Sequence, residues 1–345
     1  MQPIPLSLVR SGRDLTEPRL APDGIRVGFV QRWRAGSSIN IVSVADEPLE
    51  RQLTYGPDPA PGRGLGGGCY TWVGEAIVYV AVDGELWLQD GPRLERLTAH
   101  ERSVRAPAVS GDVVAYVVDE AEVWLLDLDS GDQRRLDDGR HAFCFDPAIS
   151  ADARVVSWQA WSPPDMPWDA AVRVDLDLQT GRFGEWAMSD GAIQQPRFTP
   201  HGEPVHVHDA SGWLNVYVGD RPIVAEPIEH AGPTWGMGAR SYAFDDAGGR
   251  MAFTRNEVGH GALCVVDLRT GEVEQLGRGV HGHLSWVGQS LVAIRSGART
   301  PAQIVRYDSA ASERTTLALS QPDVWPCDEL PEPQLVEVPT EDGST

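Results

Sequence analysis

From Glu17 to Leu319 one phrase of about 40 residues returns seven times, and a chain written in such units has few ways to fold. Each unit opens on a short strand ending near a P-x-apolar-S/T phrase. An apolar strand, a strand with alternating apolar positions, a polar turn and a last strand follow. EPRLAPDGIRVGFVQ, APAVSGDVVAYVVDEAEVWLLDLDSGDQRRL and SYAFDDAGGRMAFTRNEVGHGALCVVDLRTGEVEQL are three copies. The turns APDG, DLDSGD and DLRTGE put Asp and Gly where tight hairpins need positive φ. No segment sustains a 3.6-residue apolar period, so helix is expected to be nearly absent. One four-stranded antiparallel unit cannot bury both its faces, and radial stacking solves that problem. The expected fold is therefore all-β, a seven-bladed β-propeller spanning residues 1–320, with six or eight blades left open because blade boundaries are soft.

Two segments interrupt the repeat: GPDPAPGRGLGGG, residues 56–68, and WSPPDMPWD, residues 161–169. After Leu319 the pattern stops. Residues 321–345 are expected to form a Pro-rich linker, SQPDVWPCDELPEPQ, and then an alternating strand in LVEVPTEDGST that reads as the start of a further domain.

A net charge of −21 argues against nucleic acid or an anionic membrane as partner, since phosphate binding needs clustered cations. All 29 basic residues are Arg, which excludes Schiff-base lysine chemistry and a Walker-type phosphate loop. Cys69, Cys144, Cys264 and Cys327 have no metal spacing and read as reduced, packed thiols of a cytoplasmic protein. The N-terminus lacks the apolar run of a signal peptide, and no stretch approaches membrane-spanning length.

Four phrases resemble the prolyl oligopeptidase family of serine peptidases, in particular its acylaminoacyl-peptidase and dipeptidyl-aminopeptidase-like branch. Gly66, Gly67, Gly68 and Cys69-Tyr70 are similar to that family's glycine-rich opening of blade two. Trp161 to Asp169 resemble its W-x-x-P-x-MPWD insertion. Pro196 to Tyr217, PRFTPHGEPVHVHDASGWLNVY, are similar to its SGWxN blade. VEVPTEDGST looks like the first strand of its α/β-hydrolase domain. The resemblance implies a non-catalytic propeller that restricts access to a Ser-Asp-His hydrolase domain, supplied downstream in cis or in trans, with short or N-blocked peptides as substrates. No catalytic residue carries over. A nucleophile elbow needs G-x-S-x-G, and that pentapeptide does not occur here.

The candidate substrate-gating or domain-interface residues are Trp161, Met166, Trp168, Asp169, Trp213 and Asn215. A Pro-rich excursion from a compact blade carries function or contacts a neighbour; alternatively Trp161 and Trp168 fill a gap beside the next blade. Trp213 and Asn215 lie in a hairpin where Trp packing is the plainer role. His206 and His208 share one strand face and, with Asp209 or His201, have the chemistry for zinc. The plainer reading makes them hairpin polar residues, and His281 and His283 divide the same way. The glycine run 66–68 lacks the Lys and following helix of a phosphate cradle. No cofactor and no metal is expected.

Two other functions compete. A stand-alone binding scaffold, similar in role to TolB-like or WD-repeat modules, is expected to close its ring by pairing its terminal strands. A propeller enzyme with its site in the central channel needs carboxylates or His converging from several inner strands, and the sequence singles out no such set.

Overall fold

A computed structural model describes residues 6, 10–45, 48–62, 67–188, 191–311, 313–321, 330–336 and 338. Its 28 strands form seven sheets of four, each antiparallel and contiguous in sequence, with almost no helix. The seven units of the sequence are the seven blades.

The first strands are Asp14–Leu20, Tyr70–Val73, Val104–Ser110, Phe143–Ile149, Ile193–Phe198, Tyr242–Phe244 and Val280–Val287. They ring a central channel, since Arg19, Thr71, Val109, Asp146, Arg197, Tyr242 and Ser285, one from each, line a single cavity. Fourth strands lie outermost; Arg93–Arg96 of blade two is exposed throughout. Alternation along the middle strands gives each blade two apolar faces, and neighbours bury them together. Val78 and Leu86 of blade two pack with Val114 and Tyr116 of blade three. Each fully buried Val, Leu or Phe contributes about 1.5–3 kcal/mol, so the stacked faces supply the main cohesion.

Among the described residues the ring closes without strand exchange. Blades one and seven are separate sheets. Leu15, Phe29 and Val42 pack on Val292, Ile304 and Leu317 across the seam. Arg13 ties the two ends, its N–H donating to Ser320 O (2.9 Å) and its Nε to Leu319 O (3.0 Å).

Four antiparallel strands fix which connections share a face. Links between blades and the turns joining second to third strands fall on one face of the ring, here the linker face. Turns joining first to second and third to fourth strands fall on the other, the hairpin face. There one device repeats: Asp127, Asp177, Asp267 and Asp308 each accept the backbone N–H groups two and three residues on. This is the Asx-turn that places Asp at such corners.

The first strands carry a feature absent from the sequence reading. Register shifts interrupt them, and Glu17, Ala106, Asp146, Gln195 and His283 stand there with φ between 51° and 55°. Gly68, φ 80°, opens blade two. Such bulges re-aim side chains. Four of these residues precede proline, a position whose own preference is extended backbone at negative φ.

Candidate functional site

Every interruption of the repeat reaches the linker face. The 161–169 segment joins the second and third strands of blade four, Val155–Trp161 and Val172–Asp177. Two long links, 53–69 and 223–241, join blade one to two and five to six. Arg13 and Ser320 emerge on this face. Arg299, on the turn there between Ser290–Gly297 and Thr300–Asp308, donates from Nε to Leu330 O (2.9 Å) and pairs with Glu332 (3.5 Å). Six large exposed apolar side chains lie on the same face, Trp33, Tyr55, Val82, Trp213, Trp235 and Val258, while Leu94, Trp186 and Val273 lie on outer fourth strands. The turns of the hairpin face show Ile25 and Leu49.

The candidate residues of the sequence divide here. Trp161 ends its strand instead of entering the loop. It is 6% exposed, stacked on Phe143 (5.2 Å between centroids) and edge-on to Phe145 (4.7 Å), in a cluster with Ala106, Val117 and Met237. There its indole fills space between blades three and four and the 223–241 link. Asp169 closes the MPWD turn, its Oδ2 accepting the N–H of Met166 (3.0 Å) while its own N–H donates to Met166 O (2.9 Å). Met166 is exposed, and Trp168 lies against Trp235 of the 223–241 link (4.6 Å). Trp213 is 39% exposed, so its indole is not packed away as the plainer reading expected. Asn215 is fully buried and anchors the same link: its Nδ2 donates to Ile228 O (3.0 Å) and its Oδ1 accepts Glu226 N–H (3.1 Å). Gly66, Cys327 and most of the strand expected at 335–345 lie outside the described residues.

Residues 231–241, AGPTWGMGARS, form a strap that crosses the channel. Thr234 bridges Gln159 and Gln194 (3.3 and 3.0 Å). Met237 enters the apolar cluster around Trp161, and its carbonyl accepts the N–H of Gly67 (2.5 Å). Gly238 donates its N–H to Asp146. Its φ is 77°, and a Cβ there would stand 2.2 Å from Gly68 N, so only glycine fits. The strap thus reaches from blades five and six to the opening of blade two and closes the channel on the linker face. The remaining space, a blind cavity of about 560 Å³, opens past Ser110, Ala151 and Pro200 on the hairpin face.

The cavity floor corrects the expectation that no charged set converges from the inner strands. Arg19, Asp146, Arg197 and Arg240 line it, with Glu17 and His283 beside them. Glu17 accepts the N–H of Cys69 with both oxygens (3.1 and 3.0 Å) and pairs with Arg19 (3.2 Å). Burial pushes the carboxyls of Glu17 and Asp146 up, against the pull of the guanidiniums. The guanidinium of Arg19, and then burial, hold Arg240 well below the usual arginine range. Burial, with Arg19 and Arg240, brings His283 down to about 4, so it is neutral near pH 7. Ser285 is engaged as acceptor of Leu20 N–H (3.1 Å). The bulges hide this set from the sequence; the only local signal is the recurrent residue-before-proline position.

His206 and His208 are buried strand residues, not hairpin polar groups. His206 Nδ1 meets Arg173 Nη1 (2.9 Å), and burial, then Arg173 and His208, lower it to about 3. His208 Nδ1 accepts Ala210 N–H (2.7 Å), and Asp209 accepts Ala192 N–H (2.9 Å). His201 sits at the other end of the strand Pro204–His208, on the hairpin face. Among the described residues no three His, Cys, Asp or Glu side chains are placed to hold a metal ion.

No family model matches the chain, and no curated protein sequence matches it. Solved structures do. Puromycin hydrolase aligns at TM-score 0.79 and 22% identity over 100% of this chain and 59% of that one. A puromycin-hydrolyzing peptidase of Mycobacterium tuberculosis aligns at 0.84 and 22% over 99% and 58%. Oligopeptidase B of Trypanosoma brucei aligns at 0.59 and 10% over 91% and 50%. The chain thus spans about three fifths of the length of the first two and half that of the third, matching their propeller portion. At these identities the likeness establishes the shared fold.

Proposed function

We propose that this chain is the substrate-gating propeller of a prolyl oligopeptidase-type serine peptidase, seated by its linker face on an α/β-hydrolase domain supplied in cis or in trans. The observation that carries the reading is the gathering of exposed aromatic and aliphatic side chains on that one face, together with both ends of the ring. Contiguous exposed apolar surface rimmed by polar residues is what an interaction site looks like. The fold likeness to peptidase propellers and the MPWD and SGWLN phrases support the same partner. Trp213, Met166 and Trp168 are its proposed contact residues; Trp161, Asp169 and Asn215 hold the surface in shape. The 1–320 and 321–345 division belongs to this proposal. Because the strap closes the bore towards the hydrolase, short or N-blocked peptides would reach it around the rim. Buried free thiols at Cys69, Cys144 and Cys264 fit a cytoplasmic location. Among the described residues the two blades at the seam share no strand, which does not favour a scaffold closed by pairing its terminal strands.

The test is activity with and without the partner. The chain alone should leave puromycin and acyl-peptide substrates intact. An α/β-hydrolase domain from the same or an adjacent reading frame should bind it and turn them over. Trp213→Glu with Val82→Glu should weaken that binding. Turnover by the chain alone, or binding indifferent to both substitutions, would overturn the reading.

A further inference from the structure

The blind cavity on the hairpin face has its own chemistry, independent of any docked hydrolase. Three guanidiniums converge on its floor: Arg19 from blade one, Arg197 from blade five and Arg240 from the strap. Two carboxylates answer them: Glu17 pairs with Arg19 (3.2 Å) while also accepting the N–H of Cys69, and Asp146 accepts that of Gly238. At the rim, Asp245 accepts the N–H groups of Gly249 and Arg250, and Asp246 that of Gly288.

The arginines themselves are under-served. Arg19 is 6% exposed, and its Nε has no hydrogen-bond partner; neither has the Nε of Arg240. Among the described residues Arg197 donates to the carbonyls of Pro196 and Ala239 (2.6 and 3.0 Å). A guanidinium resists shedding its proton even where like charge and burial lower its pKa. Buried donors left unpaired are costly, and like charges brought together cost more. In a chain of net charge −21, an excess of cations at one enclosed point runs against the general field.

We propose that this cavity is a binding site for a small multivalent oxyanion, a phosphate or a dicarboxylate, seated on Arg19, Arg197 and Arg240. Guanidinium forks match the planar or tetrahedral oxygens of such groups in paired hydrogen bonds. The volume, about 560 Å³, falls in the range of small-molecule sites. The bound anion would supply the missing acceptors and remove the repulsion between Arg19 and Arg240. The strap contributes one of the three arginines, so occupation would also fasten it.

The probes are inorganic phosphate and succinate, titrated calorimetrically into the 345-residue chain at constant ionic strength held with chloride. One saturable site is expected for at least one of them. Phosphate alone would mark a tetrahedral oxyanion site, succinate alone a carboxylate site. Arg197→Gln and Arg240→Gln should each weaken binding by about tenfold or more, the exposed Arg182→Gln not at all. Arg240→Gln should also raise Tm in the absence of anion. Ala108→Gln projects a longer side chain into the cavity with every arginine in place and should weaken binding, which covers the case of an arginine variant that fails to fold. No saturable binding of either probe would overturn the site, as would binding unchanged by Arg197→Gln, Arg240→Gln and Ala108→Gln.

Discussion

The hairpin face is built from short turns that copy one another, with an Asp at each repeated corner satisfying two backbone N–H groups. The linker face is built from segments that copy nothing: the MPWD turn, the 53–69 link and the strap. The repeat is enough to make blades, and blades are enough to make a ring. What distinguishes this ring is chain added where two faces were available and only one was used. That asymmetry separates residues that maintain the scaffold from residues that give it a front.

The contrast can be broken by mutation. Trp161→Ala should cost about 3–5 kcal/mol in chemical denaturation, because it opens a cavity where blades three and four meet the strap. A loss no larger than that from a hairpin-face turn would erase the distinction.

Acid should separate the buried interior from the hairpin face by pH. His206 lies at about 3 and His281 and His283 at about 4 in the folded chain, below the ordinary histidine value of 6.5. The folded state therefore binds fewer protons, and their contribution is present above about pH 6.5 and lost as pH falls towards 4. For His206 this is about 2 kcal/mol between pH 6.5 and 5. His206→Gln should flatten that slope in denaturation measured across the range. The hairpin-face carboxylates act later. Backbone N–H groups hold Asp127, Asp267 and Asp308 below the ordinary 3.8, and Asp177 at about 2. Their contribution is present above about 3.8 and lost only as pH falls through those lowered values.

Gly238→Ala should cost about 1–3 kcal/mol, since the new Cβ has no room and the backbone is left-handed. It should also lift the strap and speed thiol labelling of Cys69, which is 1% exposed. Unchanged labelling would mean that the strap does not seal the channel. Asp267→Ala, on an exposed turn, should give the smallest loss of Tm in the set and leave Cys69 labelling untouched.

Much of this was legible in the residues. Alternating apolar positions and Asp-Gly corners have periods that a blade must obey, so all seven units are visible. The MPWD and SGWLN phrases stand out because they break that period. The strap does not: GPTWGMGAR reads as an ordinary Gly/Pro link, and its partners Gly67 and Asp146 lie far away in sequence. Nor are the channel residues visible, because Glu17, Asp146 and Gln195 sit before proline, where local preference argues for extended backbone. Their conformation is imposed by the assembled ring. Asn215 and Trp213 exchange their expected parts for the same reason. The amide is needed to satisfy a distant link, and the indole is left on the surface.

The strap is held largely through its backbone. Asp146 takes the N–H of Gly238, Gln195 that of Ser241 (2.9 Å), and Gly67 donates to Met237 O. Clasps of this kind read the path of a peptide and ignore the identity of most of its side chains. Over evolutionary drift much of the strap's wording could turn over while its route stayed put, Thr234, Met237, Gly238 and Arg240 excepted. Descendants sharing this architecture would then be recognised by where the chain travels long after the letters had stopped agreeing.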